Sequence, residues 1–257
     1  MNPYIVTAPA AWQESWDRQQ EAFMPDREHR LAAVLDAVDA TVDGGAPRVL
    51  DLAGGTGTIA LRTLARFPAA NVTLLDVDPV LLAIASASLA GRAQIATADL
   101  RGTDWRGALP ERETGEGYNA VLTSTALHWL AAERLTALYA EIREILRPGG
   151  IFVNADHMPD EGIPGLTERL HDRAGARRTA RYAAGAALSW PDWWDRAGAD
   201  AELGPLVEER KRIYPAEHSS EWLPPASWHL AALRGAGFTE AGIVWRGGSD
   251  AAVAAVR

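Results

Sequence analysis

Cysteine is absent from the 257 residues, which excludes disulfides, thiol nucleophiles and thiolate metal sites together and fits a cytoplasmic setting. Positive charge is in deficit: 25 Lys and Arg stand against 34 Asp and Glu, a formal net charge of −9. A surface of that sign repels a phosphate backbone. The longest basic clusters, Arg177-Arg178-Thr179-Ala180-Arg181 and Arg210-Lys211-Arg212, are short and read as solvated faces, so nucleic acid is not an expected partner. No apolar run approaches the roughly 18 residues of a membrane-spanning helix, and the first residues lack a basic stretch followed by an apolar one, so neither a membrane span nor secretion is expected. Repeats and low-complexity tracts are missing too. What remains, 47% hydrophobic and 23% charged residues, is the composition of a globular chain with one cooperative core, expected as a monomer or homodimer.

Residues 26–40 place Leu31, Val34, Leu35 and Val38 at helical spacing, with Asp26 as the N-cap. From residue 48 onward β-like runs alternate with helical ones: RVLDLA, TIALRTLARF, NVTLLDV, PVLLAIASASLA, AQIATAD, YNAVLTS, AAERLTALYAEIREIL and IFVNAD. Such alternation needs crossover helices between parallel strands and predicts an α/β, doubly wound sheet. Arg147-Pro148-Gly149-Gly150 closes the helix over 131–146. After residue 157 the alternation stops. Residues 158–226 carry Trp190, Trp193, Trp194 and Trp222 and read as a mostly helical insertion roofing a substrate pocket. SWHLAALRGAGF resumes the pattern, and two last β runs around Gly247-Gly248-Ser249-Asp250 predict an antiparallel hairpin. The expected organisation is a helical lid over 1–44, a core over 45–157 and 227–257, and the cap over 158–226.

The strongest chemical signal is Val49-Leu50-Asp51-Leu52-Ala53-Gly54-Gly55-Thr56-Gly57, a buried strand entering a glycine-rich turn and then a helix. Small residues at 53, 55 and 57 let a ligand approach the backbone, and a helix N-terminus offers free N–H donors, which makes a nucleotide-type cradle. The next strand ends at Asp76, 25 positions after Asp51, where a carboxylate accepts from two ribose hydroxyls. Asp78, before Pro79, reads as a helix cap. The third strand ends at Asp99, suited to an exocyclic amine of adenine.

Taken together, these pieces resemble the class I S-adenosylmethionine (SAM)-dependent methyltransferase superfamily: Asp51-x-Ala53-x-Gly55-x-Gly57, with Ala where many members have the first Gly, then Asp76, Asp99, Tyr118–Ser124, Leu146-Arg147-Pro148-Gly149-Gly150 and the closing hairpin. Within it the chain is similar to small-molecule methyltransferases of the actinobacterial kind, through Thr125-Ala126-Leu127-His128-Trp129, Asn154-Ala155-Asp156-His157 and the Trp-rich insertion. The resemblance implies a seven-stranded Rossmann-like sheet, SAM as cofactor, and methyl transfer to O, N or C of a small molecule. It implies that Asp51, Ala53, Gly54, Gly55 and Gly57 line the methionine moiety, that Asp76 holds the ribose and that Val77 packs on adenine. Asp99 and Leu100 would border the adenine edge, with Ser124 and Thr125 beneath the sulfonium. Tyr4, Trp12, Trp16 and Gln20 would fold over the cofactor as a lid, although the spacing of Trp12 and Trp16 equally suits a packing stripe.

Two other readings compete. Gly55-Thr56-Gly57-Thr58-Ile59-Ala60 also satisfies a dinucleotide fingerprint, giving an NAD(P)-dependent oxidoreductase; against it, Asp51 would face a pyrophosphate repulsively but a methionine ammonium attractively. A SAM-binding protein without methyl transfer is the third, since a cofactor pocket and its chemistry are separable. For the proton, His157 after the fifth strand is the first candidate base, with Asp156 beside it, and His128 the second. No metal site is expected, because these residues lack ligand spacing.

Overall fold

The computed structural model describes residues 6–42, 44–110, 117–214 and 221–257. Seven strands form one sheet in the order β3-β2-β1-β4-β5-β7-β6. β1 (Arg48–Leu52), β2 (Asn71–Asp76), β3 (Gln94–Thr97), β4 (Tyr118–Ser124) and β5 (Leu146–His157) run parallel, and β6 (Glu240–Gly247) and β7 (Asp250–Val256) close the edge as an antiparallel hairpin. This arrangement departs from the parallel 3-2-1-4-5-6 order of dinucleotide-binding domains. The strand runs expected from sequence all appear, and β4 has the expected bounds.

Strand alternation divides the core in two. Val49, Val72, Leu74, Ala120, Leu122, Val153, Ala155 and Ala252 face α2 (Arg27–Asp39), α3 (Thr58–Arg66) and α4 (Pro79–Leu89). Leu50, Leu52, Leu75, Val121, Phe152 and Val253 face α5 (Ala132–Ile145) and α9 (Ala226–Gly235). The apolar helix α4 is buried because α1 (Pro9–Phe23) and residues 193–207 pack on its outer side. Asp78 caps it as expected, accepting from the Val80 and Leu81 N–H groups, with Pro79 in the first turn.

Three local expectations change. Asp26 stands at the start of α2, but its backbone is left-handed (φ 61°) and its side chain caps nothing; the Glu21 carboxylate instead accepts from the Asp26 and Arg27 N–H groups. Arg147–Gly150 does end α5, yet it lies within β5 as an irregularity in the pairing with β4 between Tyr118 and Ala120, with Gly149 at φ +72°. The 158–226 stretch carries α6 (Pro164–Ala183), α7 (Trp190–Ala199) and α8 (Gly204–Ile213), but Trp190, Trp193 and Trp194 pack with α1 and α4, and Trp222 packs on Trp228. The Trp193 indole is 0% exposed and packs edge-on against Trp12 at 5.7 Å and Trp16 at 4.9 Å, in one cluster with Val80, Leu81 and Ile84. Aromatic pairs of this geometry hold α1, α7 and α4 together. Among the described residues no helix is long and apolar enough to cross a membrane.

Candidate active site

The strand order reverses between β1 and β4, and open α/β sheets bind ligands at the carboxyl edge of such a switch point. The glycine-rich turn leaves β1 there. Ala53 and Gly55 both adopt left-handed φ, 53° and 55°, a conformation that costs an L-residue roughly 1–2 kcal/mol, so Ala53 carries strain its glycine counterpart would not. A Cβ on Gly54 would stand 2.7 Å from the Asp51 carboxyl carbon; only glycine lets the turn lie flat on that carboxylate. Asp51 is fully buried. Its Oδ2 accepts from the Ala60 N–H at 2.8 Å, while Oδ1 has no hydrogen-bond partner among the described residues. Burial pushes this carboxyl up to about 7, against the Ala60 hydrogen bond.

Asp76 stitches the β2 turn to the β1 turn. Its Oδ1 accepts from Val77 and Asp78 N–H, and its Oδ2 from Gly55 N–H at 2.8 Å, which leaves one lone pair on Oδ2 for an outside donor. Val77 is half-buried beside it. Asp99, at the next edge, is gripped by the Arg101 guanidinium at 2.6–3.0 Å, which also donates to the Ile213 carbonyl at the end of α8. Leu100 is buried in the α5-side core, and its carbonyl accepts from Arg134 Nε. Ser124 ends β4, and Thr125 is left-handed (φ 53°) with its N–H on the Ala155 carbonyl.

The residues expected as a lid divide. Gln13 Nε2 donates to Thr56 Oγ1 and Thr58 Oγ1 at 3.0 and 3.1 Å, and Asp17 accepts from Thr58 Oγ1 and Arg27, so α1 is tied to the glycine turn. Trp16 is turned into the tryptophan cluster, against Trp190, Trp193 and Trp194. Gln20 is buried and donates to Gln19. Tyr4 lies outside the described residues. A groove of about 750 Å³ runs between α1, α2, α3 and α4, and no residue of the histidine cluster lines it.

A histidine cluster stands across the switch point, where β4 and β5 end and β7 begins. His128, in a short 3-10 turn after β4, places Nδ1 2.7 Å from Asp156 Oδ1; its neighbour Trp129 is 46% exposed. His157, at the end of β5, places Nδ1 2.7 Å from Asp250 Oδ1. The rings are 6.1 Å apart. Asp156, the sequence neighbour of His157, accepts the His157 backbone N–H and pairs with the His128 ring rather than with the His157 ring. The alternation of β5 explains this: His157 follows Val153 and Ala155 onto the α2 face, and Asp156 follows Phe152 onto the other. Asp250, which sequence reasoning read only as part of a turn, is the register partner of His157 across β5 and β7. Burial alone would lower His157, but the Asp250 hydrogen bond and the charges of Asp250, Asp156 and Glu221 outweigh it and hold the imidazole above its ordinary value. Asp156 is held below its ordinary value: burial would raise it, and His128 and His157 offset that. Among the described residues no group of three His, Asp or Glu side chains is arranged to hold a metal.

The glycine turn after β1, the Asp76 carboxylate at the tip of β2 and the antiparallel closing hairpin define a Rossmann-like methyltransferase fold. Residues 49–150 match the methyltransferase domain family model. The chain is 30% identical over 198 residues to the release factor glutamine methyltransferase of Cereibacter sphaeroides, covering 75% of this chain and 64% of that protein. It is 29% identical over 175 residues to the ubiquinone/menaquinone biosynthesis C-methyltransferase UbiE of Methylobacterium nodulans, covering 61% and 65%. It thus spans just under two thirds of these curated relatives. Human N-acetylserotonin methyltransferase, solved with SAM, shares the fold with a TM-score of 0.56 at 18% identity over 97% of this chain and 58% of that one; the methyltransferase SibL does so at 0.57 and 18%, over 98% and 70%. The chain thus carries a match to the methyltransferase domain family over residues 49–150 and shares the fold of these solved methyltransferases.

Proposed function

We propose that the protein transfers a methyl group from SAM to an O, N or C atom of a small molecule, in the cytoplasm, as a monomer or homodimer and without a nucleic-acid partner. The observation that carries the cofactor assignment is the buried, unpartnered Asp51 Oδ1 beneath the glycine turn. It suits an ammonium and repels a pyrophosphate, so it favours SAM over NAD. Gly54, Gly55 and Gly57 would admit the methionine moiety with Asp51, and Ala53 keeps the turn small. Asp76 Oδ2 would take a ribose hydroxyl, Val77 and Leu100 would flank the adenine, and Asp99 would share its carboxylate between Arg101 and the adenine amine. Ser124 and Thr125 close the floor toward the acceptor. Bound there, SAM supplies an electrophilic methyl carbon. The chain's own part is positioning and proton removal: with Nδ1 held by Asp250, His157 presents Nε2 to an acceptor O–H or N–H, takes its proton, and Asp250 stabilises the imidazolium. His128, held by Asp156 with its ring 6.1 Å from that of His157, is the alternative base. The net charge of −9 supports a small acceptor over nucleic acid.

The test is mass spectrometry of candidate metabolites incubated with the protein and SAM. A gain of one methyl group, lost in His157→Gln, is expected; SAH-tight protein that methylates nothing in a broad metabolite extract would leave a SAM-binding module.

A further inference from the structure

Two arginines converge on one aromatic residue that stands outside the packed core. α8 lies along the first two turns of α4, where Leu206 and Val207 join Val80, Leu81 and Ile84 in one apolar cluster, so its C-terminal end arrives beside the tips of β2 and β3. In its last turn Arg210 Nε donates to Asp78 Oδ2 at 2.6 Å, while Oδ1 of the same carboxylate caps α4. From the other side Arg101, whose guanidinium grips Asp99, donates through Nη2 to the Ile213 carbonyl at 3.2 Å. Arginine donors on the last carbonyls of a helix fix its end. Tyr214 is held between them, its ring centre 4.8 Å from the Arg210 guanidinium carbon and 5.6 Å from that of Arg101. Burial and the charges of Asp76 and Asp78 raise its phenol above the ordinary value. Yet Tyr214 is 37% exposed and, among the described residues, joins none of the three apolar clusters. Ordering two arginine side chains costs entropy, and here it fixes an aromatic ring in the open between the carboxylates of β2 and β3.

Resting on the methyltransferase reading, we infer that Tyr214 is the aromatic wall for the adenine of the cofactor, so that the 158–226 stretch serves cofactor recognition at its α8 end. An adenosine whose ribose reaches Asp76 Oδ2 and whose exocyclic amine reaches Asp99 lays its purine across the gap between the β2 and β3 tips, where Tyr214 stands. A base and an aromatic side chain gain affinity by offset stacking, whichever base it is, and here the two carboxylates supply the choice of adenosine. Val77 and Leu100 border the purine from the sheet, and Tyr214 borders it from the helices above.

The parent protein, Tyr214→Phe and Tyr214→Leu would be titrated calorimetrically with SAH and with methylthioadenosine, which keeps the adenosine and lacks the amino-acid end. Stacking of a base on an aromatic side chain is lost in the leucine variant, so its affinity for both ligands should fall at least about fivefold and by the same factor. Tyr214→Phe keeps the ring and should stay within about twofold of the parent for both. In the parent, nuclear Overhauser contacts should link the Tyr214 ring protons to adenine H2 or H8, a readout that needs no substitution and that mere padding of the two arginines would not give. SAH affinity within twofold of the parent in Tyr214→Leu overturns the inference. So does a loss for SAH without an equal loss for methylthioadenosine, which would put the ring at the amino-acid end, and so does the absence of contacts between Tyr214 and adenine. A parent that binds SAH beside an unaffected leucine variant defeats this inference alone, whereas a parent that binds no SAH defeats the methyltransferase reading and this inference with it.

Discussion

Replacing Asp250 by Asn keeps the shape of the β7 residue and removes one charge 2.7 Å from His157 Nδ1. A hydrogen bond to a charged partner contributes roughly 1.5–3 kcal/mol, so a transition state that develops an imidazolium at His157 should lose about 10- to 100-fold in rate. The same coupling governs stability. His157 is held above its ordinary value of 6.5 in the folded protein, so the folded state binds this proton more tightly than the unfolded chain. The resulting stabilisation is fully present below 6.5 and is lost as pH rises through the raised folded value. Below pH 6, Asp250→Asn should therefore melt about 3–12 °C lower than the parent, and the gap should narrow as pH rises above neutrality. NMR titration of the His157 Cε1–H resonance should show a lower midpoint in the variant. An unchanged midpoint, with a melting gap that does not depend on pH, would refute the pairing of His157 with Asp250 as the source of its basicity.

His157→Gln should lower kcat by about 10²-fold or more, with partial recovery as pH rises and the acceptor ionises unaided; a kcat within a few-fold of the parent at every pH would leave positioning as the mechanism. Trp193→Ala should act on the fold rather than selectively on acceptor KM: emptying a fully buried indole site costs about 3–5 kcal/mol, a melting drop of about 6–20 °C, and calorimetric melting within 2 °C of the parent would contradict the packing described. Asp51, pushed up to about 7 by burial, is destabilising once ionised, so stability falls as pH rises from its ordinary 3.8 through about 7. An ammonium ligand favours that ionised form, so SAH affinity should rise through about pH 7 with proton release, detected by calorimetry in two buffers, and Asp51→Asn should abolish the trend.

Much of the sheet was legible because parallel strands buried on both faces, such as Val49–Leu52 and Ala120–Leu122, read as apolar runs between helical stripes. The glycine turn, Asp76 and the Asp78 cap were legible too, because local backbone geometry demands those residue types. Asp250 was not, since its link to His157 depends on the register of strands 93 residues apart. Nor could sequence decide between a tryptophan lid and a tryptophan core: Trp12 and Trp16 at helical spacing suit both, and only the arrival of α7 at 4.9–5.7 Å turns them inward.

The most direct test of the cofactor assignment is isothermal titration of the purified protein with SAH and, separately, with NAD, repeated on Asp76→Ala. SAH should bind and NAD should not, and the variant should lose more than tenfold in SAH affinity, because Asp76 both offers an acceptor to the ribose and holds the Gly55, Val77 and Asp78 N–H groups in place. Binding of NAD in place of SAH, or an Asp76→Ala variant that binds SAH as tightly as the parent, would contradict the account.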